Sequence, residues 1–299
     1  MAVTLAQAEK NLTDSFQKSA YQIAVSISPV WDRLYFEGIQ GNAYAYDKDK
    51  VLPGTAFRTV NEAYVEETGV VNSDVERLTI LGGEVVVDRF IEQTYSDDIK
   101  IKIADQVAMK LESMSATFSD YFFNGDDVAN PKGFNGLRKR LVGAQVMDSQ
   151  VSVTDEGFLS ELDELIDAAN ADAIYAPKAI RTPLKALFRK AGGYEYVISE
   201  ITGKRELMWN GVPILEAGKT YDGRQILPFD VTAGGDMYAV KFARSDSDEG
   251  VLGIYNGGIL TDPPKLMEDR PAYMARVEMY PGLVVQGGQA AARLRGVKK

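Results

Sequence analysis

The most regular apolar repeat in the chain runs between Ser96 and Gly125. Ile99, Ile103, Val107, Leu111, Met114, Phe118 and Phe122 succeed one another at steps of three or four, the spacing that stacks side chains on one face of an α-helix. Ser96 is a good N-cap, Asp97 and Asp98 sit in the first turn where the helix dipole favours negative charge, and Asn124-Gly125 supplies the stop. Asp97 to Phe123 contains no Pro or Gly. The pattern predicts a rod of roughly 40 Å at ~1.5 Å per residue. A helix that long argues for an extended, flat molecule organised around one spine.

Upstream, Leu5, Ala8, Leu12, Phe16, Ala20 and Ile23 share one helical face over residues 5 to 28, with Glu9, Lys10, Asp14 and Lys18 opposite, and Pro29 is expected to end the helix. Such an arm docks either on its own domain or on a neighbour. Residues 35 to 74 alternate in short runs instead. Asn42 to Tyr46 and Ala56 to Val60 are expected strands, and between them lie Asp47, Lys48, Asp49, Lys50 and the turn signal Pro53-Gly54. This long hairpin has almost no continuous apolar face and would be marginal alone in water. It lies either on its own domain or across another subunit. Glu76, Leu78 and Ile80 then alternate with Arg77 and Thr79, Gly82-Gly83 suggests a bulge or bend, and Val85 to Val87 with Phe90-Ile91 continue in β-type residues.

After the spine, residues 124 to 152 read as a turn-rich connector and the texture becomes α/β. A helix is expected from Thr154 to Ala169, a buried strand at Ala171 to Ala176, and a second helix from Thr182-Pro183 to Ala191, stopped by Gly192-Gly193. Arg205 to Trp209 and Val212 to Glu216 form strands joined by Asn210-Gly211, and Met237 to Ala243 forms another. The last 50 residues return to β, at Gly253 to Leu260, Ala272 to Tyr280 and Leu283 to Val285, with Pro281-Gly282 as a turn. The whole is an α+β chain.

Charge narrows the partners. With 33 Lys+Arg against 43 Asp+Glu the net charge is -10, so tight or sequence-specific nucleic-acid binding through a basic face is not expected. Chemistry is narrowed further by the absence of Cys and His, which removes thiol nucleophiles, Ser-His-Asp triads and His/Cys zinc sites. Neither a secretory signal nor an apolar stretch of membrane length is present, so a soluble protein made in the cytoplasm, without membrane contact, is expected. Asp126-Asp127 with Asn130, and Ser245 to Gly250, resemble fragments of calcium loops but lack the spaced carboxylates and closing Glu. Arg138-Lys139-Arg140 is the one dense basic run, expected to pair with acidic neighbours. No catalytic residue, cofactor or metal is expected. Tyr44, Tyr46, Tyr64, Tyr255, Tyr273 and Tyr280 fall in the hairpin or terminal strands, where Tyr is both an ordinary strand residue and an interface residue.

The order of parts resembles one family. A helical N-arm, a long two-stranded arm, a spine helix, an inserted α/β unit and a return to β form the plan of the major capsid proteins of tailed double-stranded DNA bacteriophages, whose fold is shared with encapsulins and the herpesvirus capsid floor. Local text is similar too. Ser28-Pro29-Val30 with Arg33-Leu34-Tyr35-Phe36 resembles the N-arm exit, and Gly41 to Tyr64 the extended loop. Phe122 to Asp126 through Pro131 to Leu137 resembles the phrase after the spine, and Arg276 to Leu283 the closing strands.

The resemblance implies an N-terminal arm at 1–34, an extended loop at 35–74, a peripheral domain from 75–152 and 263–299 with its spine at 97–123, and an axial domain at 153–262. It implies hexamers and pentamers closed around DNA in a virion capsid, assembled in the bacterial host cytoplasm. Inter-subunit contacts are expected at Tyr44, Tyr46, Lys48, Asp49, Lys50, Pro53, Gly54, Phe57 and Arg58. Besides the chain itself, a portal protein, a scaffolding protein and decoration proteins are the implied partners. Because the N-arm starts within a few residues of Met1, scaffolding is expected to be separate or unnecessary. Some members of the family cross-link a loop Lys to a neighbour's Asn; no acid catalyst is evident beside Lys48 or Lys50, and no cross-link is expected. Two other readings remain open: an encapsulin-type compartment shell and, more remotely, a carboxylate-dependent hydrolase.

Overall fold

The computed structural model describes residues 28–94, 99–192, 195–198, 203, 205–246 and 248–299. The amphipathic arm expected upstream of Ser28, and Ser96 to Asp98 at the start of the spine, lie outside the described residues. Helix α1 (Pro29–Arg33) opens the description, with Pro29 at its first position. Ser28 Oγ accepts from Val30 N–H at 3.3 Å, and proline at the first helical position forfeits only a donor that has no intrahelical partner anyway. Strand β1 (Phe36–Gly38) follows, then β2 (Ala43–Val51) and β3 (Val70–Arg77), paired antiparallel as a two-stranded ribbon. The expected strand at Ala56 to Val60 is absent. Residues 52–69 hold neither strand nor helix, and the chain reverses near Asn61, whose φ of 70° is left-handed, not at Pro53-Gly54. Asn tolerates that conformation better than the β-branched residues around it.

Strand β4 (Leu81–Asp88) pairs with the later strand β13 (Ala272–Gln286) from Leu81↔Met279 to Asp88↔Ala272 without a shift, so Gly82-Gly83 makes no bulge. A Cβ on Gly82 would collide with the Val277 carbonyl oxygen; the glycine permits close backbone approach. Phe90-Ile91 belong to helix α2 (Arg89–Thr94), where Asp88 Oδ1 accepts from Phe90 N–H at 2.7 Å and diverts the chain from strand to helix. The spine is helix α3 (Ile99–Asn124), 26 residues long.

The connector contains helix α4 (Leu137–Arg140), a short 3-10 turn and strand β5 (Val146–Asp148). Helix α5 (Phe158–Ala169) ends on left-handed Asn170, and β6 (Ala173–Tyr175) is wholly buried. Helix α6 (Lys178–Ala191) starts after Pro177, four residues before the expected Thr182-Pro183, and carries Pro183 inside it. Ile180, Leu184, Leu187 and Phe188 are buried along one of its faces, and burying four large side chains at ~1.5–3 kcal/mol each outweighs the ~3 kcal/mol an internal proline costs. Strands β7 (Glu195–Ile198), β8 (Arg205–Trp209) and β9 (Val212–Leu215) follow, the last two joined by Asn210-Gly211 with φ of 47° and 78°, the conformation a tight hairpin requires. Then come β10 (Phe229–Asp230), β11 (Gly234–Val240), β12 (Gly250–Leu266), β13 and β14 (Ala291–Val297).

Pro281-Gly282, expected as a turn, lies within β13. The Thr79 N–H donates to the Pro281 carbonyl at 2.9 Å on the side where β4 has already ended. A strand residue's N and C=O point the same way, so the missing proline N–H faces residues 78–80, which hold no strand, and no ladder bond is lost. The smaller sheet runs β1-β12-β13-β4, and the larger runs β5-β14-β11-β6-β9-β8-β7 with β10 beside β11. Strand β14 therefore pairs within the larger sheet, although the expected division groups its residues with the spine and the closing strands.

Burial explains why the spine sits where it does. Ile103, Val107, Leu111, Met114, Phe118 and Phe122 are all buried, in one cluster with Val85, Val277, Met279 and Leu283 of the smaller sheet. Trp31 stacks on Phe36 at 5.1 Å and tilts against Phe118 at 4.9 Å, which ties α1 and β1 to the spine. A second cluster joins α5 and α6 to the larger sheet through Phe158, Leu162, Leu184, Phe188, Ile214 and Met237. Among the described residues, no helix is long and apolar enough to cross a membrane.

Candidate assembly surface

The ribbon is rooted firmly and ends freely. At its root Tyr46 is buried with Leu252, Ile254 and Val284, and its ring stacks on Tyr44 at 6.4 Å. Tyr46 Oη donates to Glu76 Oε1 at 3.4 Å. The same carboxylate forms an ion pair with Arg140, and both partners are largely buried. Burial holds the Tyr46 hydroxyl above its ordinary pKa, with Glu76 adding to the effect. Tyr44 Oη reaches the Asp246 carbonyl at 3.5 Å. Tyr46 is thus part of its own chain's core.

Beyond the root the ladder continues through Asp47↔Ser73, Asp49↔Asn72 and Lys50↔Val71, with a shift between Asp47 and Asp49 that sets Lys48 out of register. Pro53, Gly54, Phe57 and Arg58 follow in the irregular tip, and all four are exposed. The tip has its own local bonds. Gly54 N–H donates to Glu67 Oε2 at 2.7 Å, and Thr59 gives its N–H and hydroxyl to Glu62 Oε2, both at 2.9 Å. Those bonds, the N–H first, hold the Glu62 carboxyl below the usual carboxylate range. The Arg58 guanidinium lies 4.9 Å over the Tyr64 ring.

What the tip lacks is cover. Leu52 is 84%, Phe57 108%, Val60 89% and Val65 74% exposed, and Val70, Val71 and Val75 continue the apolar series onto the ribbon. Apolar side chains exposed in this number over one segment are uncommon on a monomeric surface. Sequence reasoning picked out Phe57 but not Leu52, Val60, Val65 or Val70. The missed signal was apolar β-branched residues placed between turn residues, with no alternation to hide them.

The other features singled out in the sequence resolve into internal contacts. Lys139 Nζ meets Asp126 Oδ1 and Asp127 Oδ1, each at 2.5 Å, and holds both carboxyls below their ordinary pKa. Arg244 N–H donates to Asp248 Oδ2 at 3.2 Å. Among the described residues, no group of three or more acidic, His or Cys side chains is arranged to hold a metal. Of the basic run, Arg140 and Lys139 pair with acidic neighbours, while Arg138 lines a cleft.

No family model and no curated protein matches the chain. Solved structures do match along nearly its whole length. The holo-SrpI encapsulin complex from Synechococcus elongatus aligns with a TM-score of 0.69 at 17% identity, covering 91% of this chain and 89% of that one. The capsid of a native GTA particle aligns at 0.64 and 13% identity, covering 93% and 90%. Microbacterium phage Oxtober96 aligns at 0.63 and 10% identity, covering 91% of each. With matches over about nine tenths of its length, this chain has the α+β fold shared by tailed-phage major capsid proteins and encapsulins.

Proposed function

We propose that this chain is the structural subunit of a tailed-bacteriophage capsid, assembling into hexamers and pentamers that close around double-stranded DNA. The observation that carries this reading is the ribbon tip: residues 52–69 display Leu52, Phe57, Val60 and Val65 to solvent without support from the chain's own body. A two-stranded ribbon with an uncovered apolar end is stable in use only when laid on something else, and a second copy of the same chain is present wherever this one is made. Phe57, Arg58, Pro53 and Gly54 at the tip, with Lys48, Asp49 and Lys50 on the strand leading to it, are the proposed contacts; Tyr44 contributes from the exposed side of the root. The role is structural, not catalytic. Fold likeness to the GTA capsid and the phage supports it, and the net charge of -10 suits a wall that must not adhere to packaged DNA.

In this reading residues 153–262 form the axial domain and the spine belongs to the peripheral one, the finished particle is a virion capsid assembled in the bacterial cytoplasm, and portal, scaffolding and decoration proteins are its partners. The fold likeness to an encapsulin at a TM-score of 0.69 supports a second reading, a compartment shell around protein cargo. Electron microscopy of the expressed protein tests both. Shells, tubes or capsomers are expected, and a compact monomer would overturn both readings. Shells that form only around a co-expressed protein cargo would favour the second. A ladder of covalent oligomers on a denaturing gel would overturn the expectation that Lys48 and Lys50 form no cross-link.

A further inference from the structure

A cleft of about 490 Å³ opens at the C-terminal end of α3, lined by residues of β11, β14 and the segment 227–230. For an acidic chain its lining is unusually basic: Arg138, Arg293 and Arg295 meet there, against Asp230 and Asp236. Arg293 is only 8% exposed and Tyr238 is fully buried. The Arg293 guanidinium carbon lies 5.9 Å from the centre of the Tyr238 ring. Each of these side chains carries a buried polar atom, Arg293 Nε and Tyr238 Oη, with no hydrogen-bond partner among the described residues. A buried donor without an acceptor is costly, and two of them on one cleft mark a place where an acceptor belongs.

The carboxylates beside them are already committed. Asp236 accepts from Arg293 Nη2 at 2.6 Å and from Gly296 N–H at 3.3 Å. Asp230 Oδ1 accepts from the N–H groups of Thr232 and Ala233, at 2.7 and 2.9 Å, and so fixes a turn. Arg295 is held by Asp148 at 2.6 and 2.9 Å. Arg138 is exposed and makes no ion pair among the described residues. The facing wall is apolar, formed by Leu227, Pro228 and Phe229, with Lys299 Nζ 5.1 Å over the Phe229 ring.

We propose that this cleft binds the phosphate group of a small phosphorylated molecule. Arg138 supplies a guanidinium without an ion-pair partner among the described residues, Arg293 and Tyr238 supply donors from the floor, and the wall at Leu227–Phe229 covers the rest of the ligand. A phosphate presents its oxygens in three dimensions to donors arriving from several sides, whereas a carboxylate presents two in one plane. A nucleic-acid backbone carries the same group, but the chain's net charge of -10 opposes a polyanion.

Titration calorimetry on the full chain, with inorganic phosphate, a short single-stranded oligodeoxynucleotide and acetate, tests the assignment. Inorganic phosphate is expected to bind at one site per chain. Arg138→Ala and Tyr238→Phe should each weaken it about tenfold, the loss of one hydrogen bond to a charged group. Arg138→Ala alters an exposed side chain, so its melting temperature without phosphate should match the parent's. Oligonucleotide binding that falls equally in both variants would assign the phosphate to nucleic acid and keep the site. The proposal is overturned by no phosphate binding at millimolar concentration, by acetate binding as tightly, or by binding that neither substitution changes.

Discussion

The spine and the ribbon tip are both rich in apolar residues, and they differ in who covers them. Along α3, Val107, Leu111, Met114, Phe118 and Phe122 are buried by the chain's own smaller sheet and by Trp31 and Phe134. At the tip, Phe57, Val60 and Val65 meet only solvent. The same physical driving force, removal of apolar surface from water, is satisfied within the chain in one region and left unsatisfied by the chain in the other. A buried residue of this protein should therefore matter to stability, and a tip residue to assembly.

The sharpest way to break that comparison is Phe118→Ala. It removes a ring packed against Trp31, Phe36 and Phe134 and is expected to cost about 3–5 kcal/mol in denaturant unfolding; a loss under about 1 kcal/mol would mean the spine is not the core. Next comes Arg140→Ala at the ribbon root. It leaves Glu76 charged and largely buried without its partner, and about 3 kcal/mol should be lost, together with protection of the β2–β3 amides from hydrogen exchange.

A smaller effect is expected in acid. Lys139 depresses the pKa of Asp126 and Asp127, so their contribution is present above the unfolded carboxylate value of about 4 and fades as pH falls through the lowered folded values. Lys139→Met should lower the melting temperature slightly at neutral pH and leave it unchanged below the folded carboxylate values, so that the acid limb of the profile flattens; the drop is small because solvent screens all three groups. The smallest stability effect should come from Phe57→Ala, within about 0.5 kcal/mol of the parent. Its consequence should appear instead in electron micrographs, as lost or malformed particles. A large drop in stability would show that the tip is covered by its own chain after all.

How far the sequence was legible follows the range of the interactions involved. The spine and the Asn210-Gly211 hairpin are set by neighbours within a few residues, and both were readable. Strand β3 was placed near Ala56 because Ala56 to Val60 and Val70 to Arg77 are both plausible strands; which one pairs with β2 depends on the whole ribbon. Pro281 reads as a turn unless one knows that β4 begins only at Leu81, short of the proline's position on β13. Pro183 reads as a helix start unless the burial of Ile180 is known. The exposed tip was partly legible, since the polar run Asp47 to Lys50 and Pro53-Gly54 mark a surface segment before Phe57 and Arg58. The cleft was not, because Tyr238 and Arg293 meet only through the pairing of β11 with β14, and Arg138 arrives from α4.

The ribbon also has a mechanical side. From Tyr46 to its end at Val51, strand β2 spans about 17 Å at roughly 3.3 Å per residue, so a rotation of ~10° at Tyr46 swings the end of the strand by about 3 Å and the tip beyond it further. Its fulcrum is small: the Tyr46 ring and the Glu76–Arg140 pair. Slight repacking there is amplified along the lever; under the capsid reading proposed above, that would let one sequence meet neighbours at different angles on flat and curved parts of a closed surface.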